Sequence, residues 1–547
     1  MSARKASRAI RTLLNASTIA AAITAAVASP SDARAVLSAH VPVAVAEHEA
    51  SLIGHVDAER ILYLDIVLPM RNREALKALV GRIYDPSDSL YRHYLSVGQF
   101  TERFGPSRDD YDQAVAFFRS SGLEITRLNS NRYMLEAHGR AADIERVFHI
   151  RLNIYRHPAE NRSFMAPDRE PTVNLGVAIL HVDGLDDFEL PKPRLIRAPE
   201  GQRAHGTGSG PNGSFIGSDM RAAYYGGTTL TGAGQSLGLM ELVGWNPADI
   251  ALYFQTVNQP LNVPVNGISV DGKKIHCTHC NDGEQALDIE YAISMAPGLA
   301  QVQVYVAHGA DAVLEAMASD NTSKQLSTSW GWHNNFVVDD PLFLEMAAQG
   351  QSFLTASGDY SNLKQSGPWP EEDANLTGVG GTDLVTVGPG GPYQSEKGWS
   401  GSAGGPSLDR SISIEPYQLS FINERNEGSR KVRDVPDVSA HADTDCFICS
   451  NGRCSEGWGG TSFASPMWTG FVALINQQAV ANGQQPVGFL NPTLYNLAMN
   501  RAQYVGMLHD VMRGQSGLYT AVKGFDLVTG LGSPGGQGLI NALAPSQ

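Results

Sequence analysis

Positive charge is scarce in the second part of this 547-residue chain. From residue 215 onward there are 15 Lys and Arg against 31 Asp and Glu, whereas residues 1–214 hold 26 and 25. Such a surface disfavours nucleic acid as a partner and loses charge as pH falls. Long apolar runs are missing as well. After the N-terminal segment no stretch approaches the ~20 apolar residues that a membrane span needs. Cysteine is rare, with five residues that all follow position 270: Cys277, Cys280, Cys446, Cys449 and Cys454. HCTHC (276–280) has the spacing of half a zinc site, but in an exported chain disulfides in surface loops are the simpler reading. The odd count leaves one thiol unexplained. Internal repeats and low-complexity tracts are absent.

What is present describes a globular protein too long for one ordinary domain, with 42% hydrophobic and 18% charged residues. Residues 1–35 begin with Lys and Arg, continue as an Ala/Thr-rich apolar run, and offer A-x-A sites near Ala28 and Ala35. This is the pattern of a secretory signal, and it predicts a soluble product outside the cytoplasm, extracellular or periplasmic. Residues 51–187 alternate strand-like and helix-like segments, among them ILYLDIVLP, REALKALVGRIYD and NRYMLEAHG, as in a small α+β domain. Residues 188–214, rich in Pro, Gly and Arg, read as an exposed linker open to nicking. From 215 to 547, short apolar runs such as SLGLMEL, QVQVYVA and QSFLTASG alternate with helical stretches. That is the signature of a parallel sheet covered on both faces.

Three stretches carry chemistry. In NDGEQALDIEYAISMAPG, Glu284 and Asp288 stand four residues apart at a helix start and so share a face. Neighbouring carboxylates cannot both ionise freely, and a raised pKa suits a general base or acid. Alone, the pair would more often be a solvated helix start, favoured by the dipole; Glu290 falls elsewhere on the helix. In FLTASGDYSN a strand ends in Ser-Gly-Asp, which places Asp359 at the carboxyl edge of the sheet, where ligands bind in open α/β folds. If protonated, Asp359 would donate to a developing oxyanion. In GWGGTSFASPMWTG, Ser462 opens a long apolar helix behind two glycines. A histidine partner for that serine is not evident: the sole His-Gly-Thr (205–207) lies in the linker, and His509 follows the serine. The proton acceptor is therefore assigned to Glu284.

These motifs, E-x-x-x-D (Glu284, Asp288), SGD (Asp359) and G-T-S-x-x-x-P (Ser462), together with DSLYRHYLSVGQFTERFGPS (88–107), resemble the sedolisin family of serine-carboxyl peptidases, its kumamolisin-like members above all. The resemblance implies an α/β fold, a subtilisin-like parallel sheet with helices on both faces, preceded by a small α+β activation prodomain. It implies a secreted, self-processing zymogen of an acid-active endopeptidase, with protein or peptide substrates and its own prodomain as inhibitor. Ser462 would be the nucleophile, Glu284 the base and acid, Asp288 its orienting partner and Asp359 the oxyanion donor. Glu241 in LGLMELVG and Trp330 in STSWGW match supporting positions. HDVMRGQSGLYTAVKGFDLVTGLGSP resembles the family's calcium site, for one ion, with the side chains of Asp510 and Asp526 and the carbonyls of Val511, Val522 and Gly524 as ligands. The cysteine loops depart from the family pattern, and disulfides within them, zinc, or a bridge between them all stay open. Alternatives are a tripeptidyl aminopeptidase on the same fold, a histidine-dependent protease, and a non-catalytic binding protein. The oligomeric expectation is a monomer.

Overall fold

The computed structural model describes residues 35–199, 206–278, 280–333, 335–363 and 369–546. The signal segment (save Ala35) and His205 lie outside the described residues.

The N-terminal lobe is a four-stranded antiparallel sheet backed by helices. Its strands are β1 (Ile61–Val67), β2 (Glu124–Leu128), β3 (Met134–Arg140) and β4 (His181–Asp183), in the order β2-β3-β1-β4. Helices α1 (Arg73–Ile83), α2 (Arg108–Ser120) and α3 (Ala141–Phe148) connect them. Ser107 caps α2 by accepting from the Asp110 amide, and Asp109 and Asp110 follow in the first turn, where the helix dipole favours acids. Leu62, Leu64 and Ile66 pack with Phe118, Ile144 and Phe148 in this lobe's own core.

Residues 188–199 are largely exposed, as expected of a linker, but they are not without regular structure. They form two short strands, β5 (Lys192–Pro193) and β6 (Ile196–Arg197), that pair with the C-terminal domain. The strands themselves stay largely exposed, but Arg194 between them is only 3% exposed.

The C-terminal domain is wound around an eight-stranded sheet. In chain order its elements are β7 (Ser236–Glu241), β8 (Val265–Ser269), α4 (Gly283–Met295), β9 (Gln301–Val306), α5 (Ala310–Asp320), β10 (Gln325–Thr328), β11 (Trp330–Gly331), α6 (Asp339–Ala348), β12 (Ser352–Ala356), β13 (Thr377–Thr386), β14 (Tyr393–Gly398), β15 (Val438–His441), β16 (Cys446–Ser450), β17 (Arg453–Gly459) and α7 (Thr461–Ala481). The sheet runs β8-β9-β7-β10-β12-β13-β14, with β15 also on β13; all pairs are parallel except β13–β14. Alternation along β7 separates the two faces. Leu237 and Leu239 join the core built on α4 and α7, whereas Met240 joins that of α5 and α6.

The two lobes share apolar cores. Val67, Tyr133 and Met134 pack with Val313, Leu314 and Phe343, while Leu76 and Ile83 pack with Leu344 and Ala347. The sheet of the first lobe thus sits on α5 and α6, and its last strand delivers the chain to the carboxyl edge of the main sheet.

Candidate active site

Helix α4 is buried along its whole length, so the Glu284–Asp288 pair is not a solvated helix start. Glu284 is 3% exposed and Asp288 fully buried. Burial drives both carboxyls up, with the Asp288 charge adding to the effect on Glu284; Asp288 is pushed up to about 8. One of the pair must hold a proton. Ser329 Oγ fixes Asp288 by donating to its Oδ1 at 2.7 Å. Behind it, Trp330 Nε1 donates to Glu241 Oε2 at 2.8 Å. Glu241 is buried and raised by burial and by Asp288. Glu241 and Trp330 therefore extend the carboxylate chain. Glu290, bland in the sequence, is fully buried on the same helix, its carboxylate facing the Cys449 amide.

Ser462 lies in the first turn of α7, fully buried. Its hydroxyl has no hydrogen-bond partner of good geometry, and neither has either oxygen of Glu284, although the Ser462 hydroxyl is among the groups drawing the Glu284 pKa down. No described histidine bonds to either residue. Asp359 sits three residues beyond β12. Its Oδ1 accepts from the Thr461 amide at 2.8 Å and the Thr461 hydroxyl at 2.9 Å, while Oδ2 is buried and unpartnered. Burial raises this carboxyl to about 6. Gly460, at φ 126°, brings the backbone in close: a Cβ there would lie 2.7 Å from Asp359 Oδ2.

That same point is crowded by the Arg194 carbonyl oxygen. The Arg194 amide donates to the Ser329 carbonyl at 3.0 Å. Lys192 and Pro193 pair antiparallel with Gly331 and Trp330, and Ile196 and Arg197 with Gly459 and Trp458. Leu195 reaches towards Gly283, beside Glu284. An extended segment of the chain's own linker thus lies across the serine, hydrogen-bonded as a substrate would be.

A match to the Pro-kumamolisin activation domain covers residues 48–188, and one to the subtilase family covers 263–517. Kumamolisin of Bacillus sp. (strain MN-32) is 30% identical, over 90% of this chain and 93% of that protein. The chain belongs to the sedolisin family. Sedolisin of Pseudomonas sp. (strain 101) is 26% identical, over 92% of this chain and 90% of that one. Tripeptidyl-peptidase 1 of Rattus norvegicus is 24% identical, over 90% and 93%. The structure of Pseudomonas sedolisin in complex with pseudo-iodotyrostatin covers 59% of this chain and 96% of its own, with a TM-score of 0.52 at 25% identity. This sedolisin-family chain is a serine peptidase with an activation prodomain.

The cysteines pair within their loops, Cys277 with Cys280 and Cys449 with Cys454, the latter two facing each other across β16 and β17. No bridge joins the loops, and Cys446 is no disulfide partner: it is buried and free beside the His441–Asp445 pair, whose Nε2 and Oδ1 stand 2.8 Å apart. The sequence pointed to none of Arg194, Ser329, Trp369 and Glu371. A basic linker residue was visible in KPRLIR, but nothing local marks Glu371 in PWPEED.

At the chain end, Asp526 is fully buried and accepts from the amides of Val522, Val528 and Thr529, and Asp510 accepts from the Gly524 amide. Both carboxylates act on the Tyr504 hydroxyl, and neither has an ion-pair partner among the described residues. Two acids brought together without a cation are a donor set of the oxygen type that calcium takes.

Proposed function

We propose that this peptidase is a secreted, acid-active endopeptidase made as a zymogen that processes itself. The reading is carried by one observation: the linker crosses Ser462 in an extended, backbone-paired register while the serine's neighbours are carboxylates. Ser462 attacks the carbonyl carbon and Glu284 takes its proton, then returns it to the leaving amine. Asp288, held by Ser329, shares the proton of Glu284, and Glu241 with Trp330 supports that pair. Asp359, protonated in acid, donates from Oδ2 to the oxyanion. In the linker, backbone pairing continues on both sides of the serine, which favours an endopeptidase over a tripeptidyl peptidase. Calcium would be held by Asp510 and Asp526 with the carbonyls of Val511, Val522 and Gly524. When bound it supplies charge neutralisation that ties the loop. A signal segment at 1–35 fits export, and an acidic surface fits work in acid.

The test is a pH series of the purified proenzyme from about 3 to 8 beside Ser462→Ala, following chain mass and cleavage of an N-terminally blocked peptide. Maturation and turnover confined to acid and absent from the variant are expected. A maximum near neutrality would return the proton to a histidine, and failure to cut the blocked peptide would favour the tripeptidyl reading.

A further inference from the structure

We propose that the pocket formed by Trp369, Glu371, Gly331 and Gly358 is a specificity site for arginine on the amino side of the cleaved bond, and that the enzyme's own first target is Arg194–Leu195. The inference rests on the peptidase reading of Ser462 and names the side chain that its cleft selects.

The register of the linker fixes which bond is presented. The Arg194 amide is tied to Ser329, and its carbonyl oxygen lies at Gly460 next to the unpartnered Asp359 Oδ2. The Leu195 side chain turns to Gly283, one residue before Glu284, and a Cβ on that glycine would stand 3.0 Å from Leu195 Cδ2. The carbonyl between the oxyanion donor and the base is therefore that of Arg194. In the step proposed, Ser462 Oγ bonds to the Arg194 carbonyl carbon as its proton passes to Glu284. The C–N bond to Leu195 breaks, and that proton leaves on the Leu195 amine. Water then hydrolyses the acyl-serine, freeing an Arg194 carboxyl group and restoring Ser462.

The Arg194 side chain occupies a built site. Its Nη2 donates to both Glu371 oxygens, at 3.0 and 3.1 Å, with Arg194 2% and Glu371 0% exposed by side chain. Its Cζ lies 4.8 Å over the Trp369 ring, as in a cation–π contact. Gly331 and Gly358 form the walls: a Cβ on either would collide with the guanidinium. Gly358 also has φ 102°, which other residues rarely adopt. An acidic floor, an aromatic face and two side-chain-free walls fit a flat cation, and a guanidinium better than an ammonium. The buried Glu371 faces no other described cation. Once the linker has left, a substrate lacking the arginine would leave that carboxyl without its partner, and the site then discriminates strongly.

A strut that only braces the zymogen would show the same contacts, so selectivity is read on matured enzyme. Blocked peptides copying residues 190–198, with Arg197→Ala, are prepared with Arg, Lys, Leu or Glu at position 194. Expected is a kcat/KM for Arg at least ~10²-fold above Leu and Glu, with the cut before Leu195 by mass. In Glu371→Leu the Arg peptide should lose at least ~10²-fold while the Leu peptide is held or gains. For the self-cleavage, Ser462→Ala proenzyme treated with matured enzyme should release a chain beginning at Leu195, and Arg194→Glu in that substrate should block this cut. Equal rates for Arg and Leu in the wild type, or a first cut elsewhere, would overturn the proposal and leave the peptidase reading standing. Failure of every peptide would overturn both.

Discussion

At the scale of single residues, the site works because carboxyls that would ionise in water are held back by burial. Asp359 is the clearest case. Its pKa is raised to about 6, chiefly by burial, with Thr461 and the Arg194 charge pulling the other way. Below that value the proton is present and Oδ2 can donate; above it the donor becomes an acceptor and repels the oxyanion. The rate should therefore fall as pH rises through about 6. Asp359→Asn, which donates at any pH, should flatten that alkaline limb, whereas Asp359→Ala should cost ~10²–10³-fold in kcat with little change in KM. A pH–rate profile of the three enzymes checks this; an unmoved alkaline limb in Asp359→Asn would remove the titration from this residue. Glu284 and Asp288 were legible as a pair because helical spacing puts them on one face. Their burial was not legible, since it depends on α7 covering α4.

At the scale of elements, the site lies where strand ends meet helix starts. Asp359 follows β12, Ser462 opens α7 and Glu284 opens α4. The loop of Asp510 and Asp526 is the element that the proposed calcium ion would tie. Asp526 is buried with its charge matched only by amides and a hydroxyl. Removing a bound ion would leave Asp510 and Asp526, which both act on Tyr504, without a cation among the described residues. Chelator treatment near neutral pH should lower the melting temperature, and added calcium should restore it. From mass action, an ion at 100 times its Kd is worth ~2.7 kcal/mol. A melting temperature indifferent to calcium in both wild type and Asp510→Ala would show that the loop stands without the ion. The apolar period and Gly-rich ends of these elements were readable in sequence. The pairing of the linker with β11 and β17 was not, because two-residue strands carry no period of their own.

At the scale of the whole molecule, the prodomain and the peptidase meet through acids. Asp65 and Asp183 of the prodomain approach the start of α5, where both carboxyls lie 3.2 Å from the point a Gly309 Cβ would occupy. Asn131 donates to Glu315 and Glu345 at 3.1 and 2.8 Å. Burial raises Asp65, Asp183, Asp311 and Glu315, and takes Asp339 to about 7 and Glu345 to about 8. Acids whose folded pKa is raised favour the docked state most where they are protonated, below their ordinary values near 4. That advantage is lost as pH rises through about 7 to 8. Docking should thus be firmest in acid, so that cutting the linker, not loss of affinity, would release the prodomain there. Hydrogen exchange in Ser462→Ala proenzyme should show β1 and α5 protected at pH 4 and exposed progressively towards pH 8. Uniform protection across that range would mean the acids do not govern the interface.

The sequence alone determined the alternation of strands and helices, the order of the four chemical residues, and the acidic bias of the second half. Each of these is a property of local period, motif or composition, which needs no third dimension. The tertiary structure decided which carboxyls are dry, which cysteines pair, and where the linker lies. Burial, disulfide reach and strand pairing depend on residues far apart in the chain, as Arg194 and Glu371 are, 177 positions apart. The arginine selectivity proposed for this chain therefore rests on its fold and not on any one stretch of its sequence.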